Sequence, residues 1–80
     1  MNKRIGGALL VIEDNGRVEA LTKIISSHSS MILGRQGIPL RDRQMSVISL
    51  VLEGTTDDIG SLAGKLGNLP GIRVKTVLVT

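Results

Sequence analysis

The stretch Gly54-Thr55-Thr56-Asp57-Asp58-Ile59-Gly60-Ser61-Leu62-Ala63-Gly64-Lys65-Leu66-Gly67 decides the fold of this chain. Thr55 or Thr56 supplies a helix cap, because a threonine hydroxyl accepts a hydrogen bond from one of the first free amides. Asp57 and Asp58 then suit the positive end of the helix dipole. Ile59, Leu62, Ala63 and Leu66 recur at the i, i+3, i+4, i+7 spacing of one helical face. Lys65 falls in the last turn and Gly67 just past it, where a helix stops. Strand patterns flank this helix on both sides. Gln44 to Glu53 carries two alternating sets, Met45, Val47, Ser49, Val51 and Ser46, Ile48, Leu50, Leu52, both largely apolar. After the turn Asn68-Leu69-Pro70-Gly71, Ile72 to Val79 alternates Ile72, Val74, Thr76, Leu78 against Arg73, Lys75, Val77, Val79. The C-terminal half therefore reads as strand, helix, strand.

The N-terminal half repeats that order. Ile5 to Ile12 is a continuous apolar run of strand length, which predicts burial on both faces. Asp14-Asn15-Gly16 forms a turn with Asn15 as the expected N-cap. From there the period changes: Val18, Leu21 and Ile25 share a helical face flanked by Ile24, while Arg17, Glu19 and Lys23 point outward. The serines around His28 end that helix. Met31-Ile32-Leu33 opens a second strand, which runs through Gly34-Arg35-Gln36-Gly37-Ile38 to Pro39. Proline cannot donate to a strand ladder, so this strand ends there or lies at a sheet edge. Leu40-Arg41-Asp42-Arg43 is a charged connector.

The order β-α-β-β-α-β predicts an α+β, ferredoxin-like sandwich: a four-stranded antiparallel sheet with two helices on one face, in one domain over residues 1–80. In that architecture the other sheet face is open, and here the strands are apolar on both faces. A single small domain would then expose a large apolar patch on a core that supplies only a few kcal/mol. Both facts predict a homo-oligomer, dimer or tetramer, formed through the sheet. The alternative is a merely aliphatic sheet whose periodicity has slipped.

Composition narrows the function classes. The 80 residues include no Cys, Trp, Tyr or Phe. Disulfides, thiol chemistry and Cys-ligated zinc are excluded, as is base stacking on aromatic rings. No apolar run reaches the length that crosses a bilayer, so no membrane partner is expected. Met1 to Ile12 carries basic residues before an apolar run, yet Glu13-Asp14-Asn15 follows where a cleavage site would stand, so the segment reads as a strand and the protein as cytoplasmic.

Few residues invite catalysis. His28 is the single histidine, and a His among serines at a helix end reads as a polar surface residue or cap. No second His or Cys gives it ligand spacing, so neither a metal nor a cofactor is expected. Ser27 or Ser29 with His28 lacks an orienting acid, and sequence neighbours rarely reach triad geometry. Glu13-Asp14 and Asp57-Asp58 are adjacent carboxylates, the second pair explained by the helix dipole. The chain reads as a non-enzyme. Gly34-Arg35-Gln36-Gly37 is more informative, because glycine permits close approach to backbone and Arg41 and Arg43 follow. One reading is a small anionic or amino-acid-like effector held between this segment (Gly34, Arg35, Gly37) and the turn Asn15, Gly16, Arg17. The other is that the glycines allow a bend or bulge and the arginines keep an edge soluble. A net charge of +3 keeps a basic nucleic-acid-binding regulator as the alternative, with a strand ribbon as reader.

Gly34-Arg-Gln-Gly-Ile-Pro39, Ser46-Val-Ile-Ser-Leu-Val51, Gly54-Thr-Thr-Asp-Asp-Ile-Gly60, Gly64-Lys-Leu-Gly67 and Leu69-Pro-Gly-Ile-Arg-Val-Lys75 together resemble the regulators of iron-only hydrogenase systems. That family often carries an aromatic residue after the proline; here it is Leu40. It is similar in turn to ACT domains and to the C-terminal domain of the nickel-responsive repressor. The resemblance implies βαββαβ modules that oligomerise and often bind small effectors between subunits. The repressor's nickel site does not carry over, because Gly34 to Ser46 contains neither His nor Cys. Met1 to Arg4 is too short for its DNA-binding arm. The resemblance therefore implies a sensing or assembly module acting in hydrogenase regulation, rather than an operator-binding protein.

Overall fold

A computed structural model describes residues 2–80 and places the elements as β1 (Arg4–Ile12), α1 (Val18–Ser27), β2 (Ile32–Leu40), β3 (Met45–Gly54), α2 (Thr56–Gly67) and β4 (Ile72–Leu78). Short 3-10 turns at Asn15–Arg17, Ser29–Met31 and Arg41–Arg43 fill the connections. The sheet order is β2-β3-β1-β4 and every pairing is antiparallel. This is the α+β, ferredoxin-like arrangement that the element order predicts. β1 takes the centre with β3 because it has partners on both sides, which its unbroken apolar run suits.

The cap of α2 shows how a few residues fix an element boundary. Thr55 Oγ1 accepts from the Asp58 amide at 3.1 Å, and Asp58 Oδ2 accepts from the Thr55 amide at 3.1 Å. Two otherwise free amides are satisfied reciprocally, a capping box. Thr55→Ala is expected to cost about 1 kcal/mol, read as a fall of about 4–8 °C in a circular dichroism melt. Thr56→Ala, inside the first turn, is the control and should move the melt much less.

The core lies between the sheet and both helices. Leu10, Leu50 and Leu52 rise from the sheet to meet Leu21 and Ile25 of α1 and Ile59, Leu62 and Leu66 of α2, all buried. No polar or charged residue is buried with them among the described residues. The i, i+3, i+7 part of the α2 stripe is thus the buried face. Dispersion and apolar burial hold the side chains of this layer together, with no side-chain hydrogen bond or ion pair inside it among the described residues.

Three local expectations are corrected. Asp14, not Asn15, caps the exit of β1: its Oδ1 accepts from the Gly16 amide at 2.9 Å. A 3-10 turn over Asn15–Arg17 then precedes α1, so Val18 is the first helical residue and is 43% exposed, while Leu21 and Ile25 of the predicted face are buried and Ile24 packs beside them. β1 is not covered on both faces by its own chain, since Leu9 is 52% exposed. The prediction for Pro39 holds: β2 is an edge strand, and its register with β3 slips between Ile32 and Gly34, a bulge that leaves Leu33 exposed.

Candidate functional site: an open sheet face and two glycine-bearing segments

The pleat sends alternate residues of each strand to opposite faces. Register puts Gly7, Val51 and Val77 in one row across β1, β3 and β4, and Leu9, Ser49 and Lys75 in the next. These residues lie on the face away from the helices. Leu9, Val51 and Val77 are 52%, 48% and 61% exposed, and Gly7 leaves a shallow depression among them. The face is aliphatic at its centre and carries Lys75 at one side.

The two predicted halves of an effector site occupy different places. Asn15, Gly16 and Arg17 form the exposed 3-10 turn beyond the end of β1. Arg17 Nε lies 3.8 Å from Asp14 Oδ2, a solvent-exposed pair of small energetic weight. Gly34, Arg35 and Gly37 lie on edge strand β2, paired with Val51, Leu50 and Ile48. The end of β1, at Ile12, is level with Ser46 and Pro39. Strand β3 therefore stands between the two segments, and they are also offset along the sheet. One chain does not join them.

Gly34 and Arg35 are instead brought beside Ile25, Ser26, Ser29 and Ile32 in a shallow pocket of about 260 Å³. Ser26 and Ser29 were readable in the sequence only as a helix end. The signal that places them here is the short connection from α1 to β2, which folds the end of the helix onto the start of the strand. A methyl group added at Gly34 or Gly37 would meet nothing within 4 Å. The chain's own packing thus does not require glycine at either position.

Ser27 and His28 do approach one another, contrary to expectation, with Oγ and Nδ1 3.0 Å apart. Both groups donate to the Ile24 carbonyl, at 2.8 and 2.9 Å. Their hydrogens are directed at the last turn of α1, and the pair closes the helix end. Among the described residues no cluster of three or more acidic or histidine side chains gathers to hold a metal ion. Among the described residues no helix is long and apolar enough to cross a membrane.

A family model described as "Iron-only hydrogenase system regulator, putative", TM1266-like, matches residues 4–76. The chain belongs to this TM1266-like family. Among solved structures, the TM1266-like chain is similar to the uncharacterized protein TM1266 from Thermotoga maritima, with a TM-score of 0.94 and 36% identity over 99% of this chain and 100% of that one. The ACT domain from the GTP pyrophosphokinase of Chlorobium tepidum matches with a TM-score of 0.79 and 23% identity, covering 95% of this chain and 100% of that one. The C-terminal domain of the MgtC protein from Mycobacterium tuberculosis matches at 0.69 and 14% identity, over 95% and 87%. The match to the ACT domain shows that the TM1266-like fold is ACT-like. No curated protein matched the sequence.

Proposed function

We propose that this protein is a non-enzymatic regulatory module that assembles through the open face of its sheet and responds to a small anionic or amino-acid-like effector, in the regulation of an iron-only hydrogenase system. The observation that carries the assembly is the exposure of Leu9, Val51 and Val77 at the centre of that face. Contiguous exposed aliphatic surface on a small domain marks a surface that associates. The family description supports the regulatory role, and the ACT-like fold supports a sensing module. Asn15, Gly16 and Arg17 of one copy, with Gly34, Arg35 and Gly37 of another, are the proposed effector site. Both segments are on the surface and β3 separates them within one chain, so a site built from both needs two copies.

Sedimentation velocity over a dilution series tests the assembly. The wild-type chain is expected to sediment as a dimer or larger, and the pair Leu9→Asp with Val51→Lys as a monomer with an unchanged circular dichroism spectrum. A wild-type chain that stays monomeric at the highest concentration reached removes the assembly. Thermal melts in a panel of amino acids, nucleotides and simple anions test the effector. A ligand at about 100 times its dissociation constant adds roughly 2.7 kcal/mol, and Arg35→Ala should abolish that shift.

A further inference from the structure

A second concavity lies on the open face, at the end of the sheet where β1 leaves and β4 enters. Its volume is about 390 Å³. Its floor is aliphatic: Val11 pairs with Val47 across β1 and β3, and Leu40 pairs with Met45 across β2 and β3. Its rim is charged. Arg73, on β4 opposite Val11, gives its Nε to Glu13 Oε1 at 2.7 Å, so that guanidinium is already neutralised. Arg43, from the turn between β2 and β3, completes the rim. Among the described residues it forms no ion pair, so one positive charge stands uncompensated beside four aliphatic side chains.

The turn that carries Arg43 is also unusual. Gln44, between two rim and floor residues, holds a left-handed backbone with φ 52° and is the one non-glycine residue with positive φ among those described. Such conformations cost about 1–3 kcal/mol and gather at functional sites. This cost is borne where the chain turns from Arg43 to Met45.

We propose that this bowl binds a short aliphatic monocarboxylate. The planar fork of Arg43 matches a planar carboxylate through two parallel hydrogen bonds, and the alkyl chain would lie on Val11, Leu40, Met45 and Val47. One free cation and an apolar floor select a monoanion with an apolar tail. Glu13 and Arg73 cancel one another, so an added ammonium group meets the uncompensated positive charge of Arg43. The inference does not depend on the regulatory reading above: its residues are different ones, and the bowl lies at the end of the open face, two rows from the Val51 and Val77 row at the proposed contact.

The test is a titration of the full chain with hexanoate, followed by methyl proton–carbon correlation spectra. Saturable shifts are expected at Val11, Leu40, Met45 and Val47, and not at Leu9 or Val77. Arg43→Gln should weaken binding at least about tenfold while leaving the melting temperature unchanged, because Arg43 is exposed and unpaired. Hexylamine should give no shifts, and norleucine, which adds an ammonium to the same chain, should bind more weakly than hexanoate. Equal binding by Arg43→Gln, tighter binding of norleucine, or no saturable shift at the four floor residues overturns the proposal. A null titration with association still seen by sedimentation removes this site and leaves the regulatory reading standing. Saturable binding to a chain that stays monomeric does the reverse.

Discussion

Leu52→Ala should destabilise the protein by about 2–5 kcal/mol. Leu52 is fully buried in β3, pairs with Gly6 of β1 and Ile32 of β2, and belongs to the layer that both helices cover. Removing most of its side chain loses the transfer energy and leaves a cavity that a rigid sheet cannot close. A domain of this size holds roughly 4–12 kcal/mol in total, so the variant should melt about 8 °C or more below wild type. The informative contrast is the preceding residue. Val51 is on the same strand but on the other face and 48% exposed. Val51→Ala should cost less than about 1 kcal/mol in dilute protein. If the open face is covered by a second copy, that cost grows with protein concentration, whereas the cost of Leu52→Ala persists at every concentration. Urea unfolding at several concentrations separates the two.

Gly71→Ala is expected to have an effect of comparable size by a different route. Gly71 enters β4 with φ +79°, a backbone that alanine adopts at a cost of about 1–3 kcal/mol. A Cβ there would also lie 2.5 Å from Asp14 Cβ and 3.3 Å from the Asp14 amide nitrogen. The Glu13 amide donates to the Gly71 carbonyl at 2.7 Å, so the two chain segments cannot move apart without losing that bond. Crowding of this kind adds about 1–3 kcal/mol. The double variant Asp14→Gly with Gly71→Ala removes the opposing Cβ but not the backbone strain. It should recover part of the loss, after a few tenths of a kcal/mol for the lost cap is allowed. Equal stability of Gly71→Ala and wild type in chemical unfolding would contradict this account.

Both residues show which parts of the fold a reader of the sequence can reach. Leu52 stands in an alternating set, and that alternation gave β3 its faces. Thr55 and Asp58 marked the start of α2 through local chemistry alone. Such signals act within a few residues, so the string of letters carries them intact. The cap ahead of α1 was misplaced because Asp14 and Asn15 are both good caps, and only the fold shows which side chain reaches the Gly16 amide. The separation of the two candidate segments was not legible, for a longer-range reason. Asn15–Arg17 and Gly34–Gly37 are linked by α1 and look adjacent, but β2 pairs with β3 rather than β1. The strand that separates them comes later in the chain. The Arg43 bowl was missed because its residues come from all four strands and one turn, with no spacing that announces them.

The central position of β1 governs when the molecule can form. Its partners are β3 and β4, so Gly6 waits for Leu52 and for Leu78. The Ile5 amide also donates to Thr80 Oγ1 at 2.8 Å, and the Val79 amide to the Ile5 carbonyl at 2.8 Å. On a ribosome, β1 has its last partner only after β4 has emerged. Long loops must close before these contacts give any return. Until then an aliphatic strand stands with one edge unpaired, a species prone to join other chains. Folding of this small domain is therefore close to an all-or-none event, held back until β4 has been made.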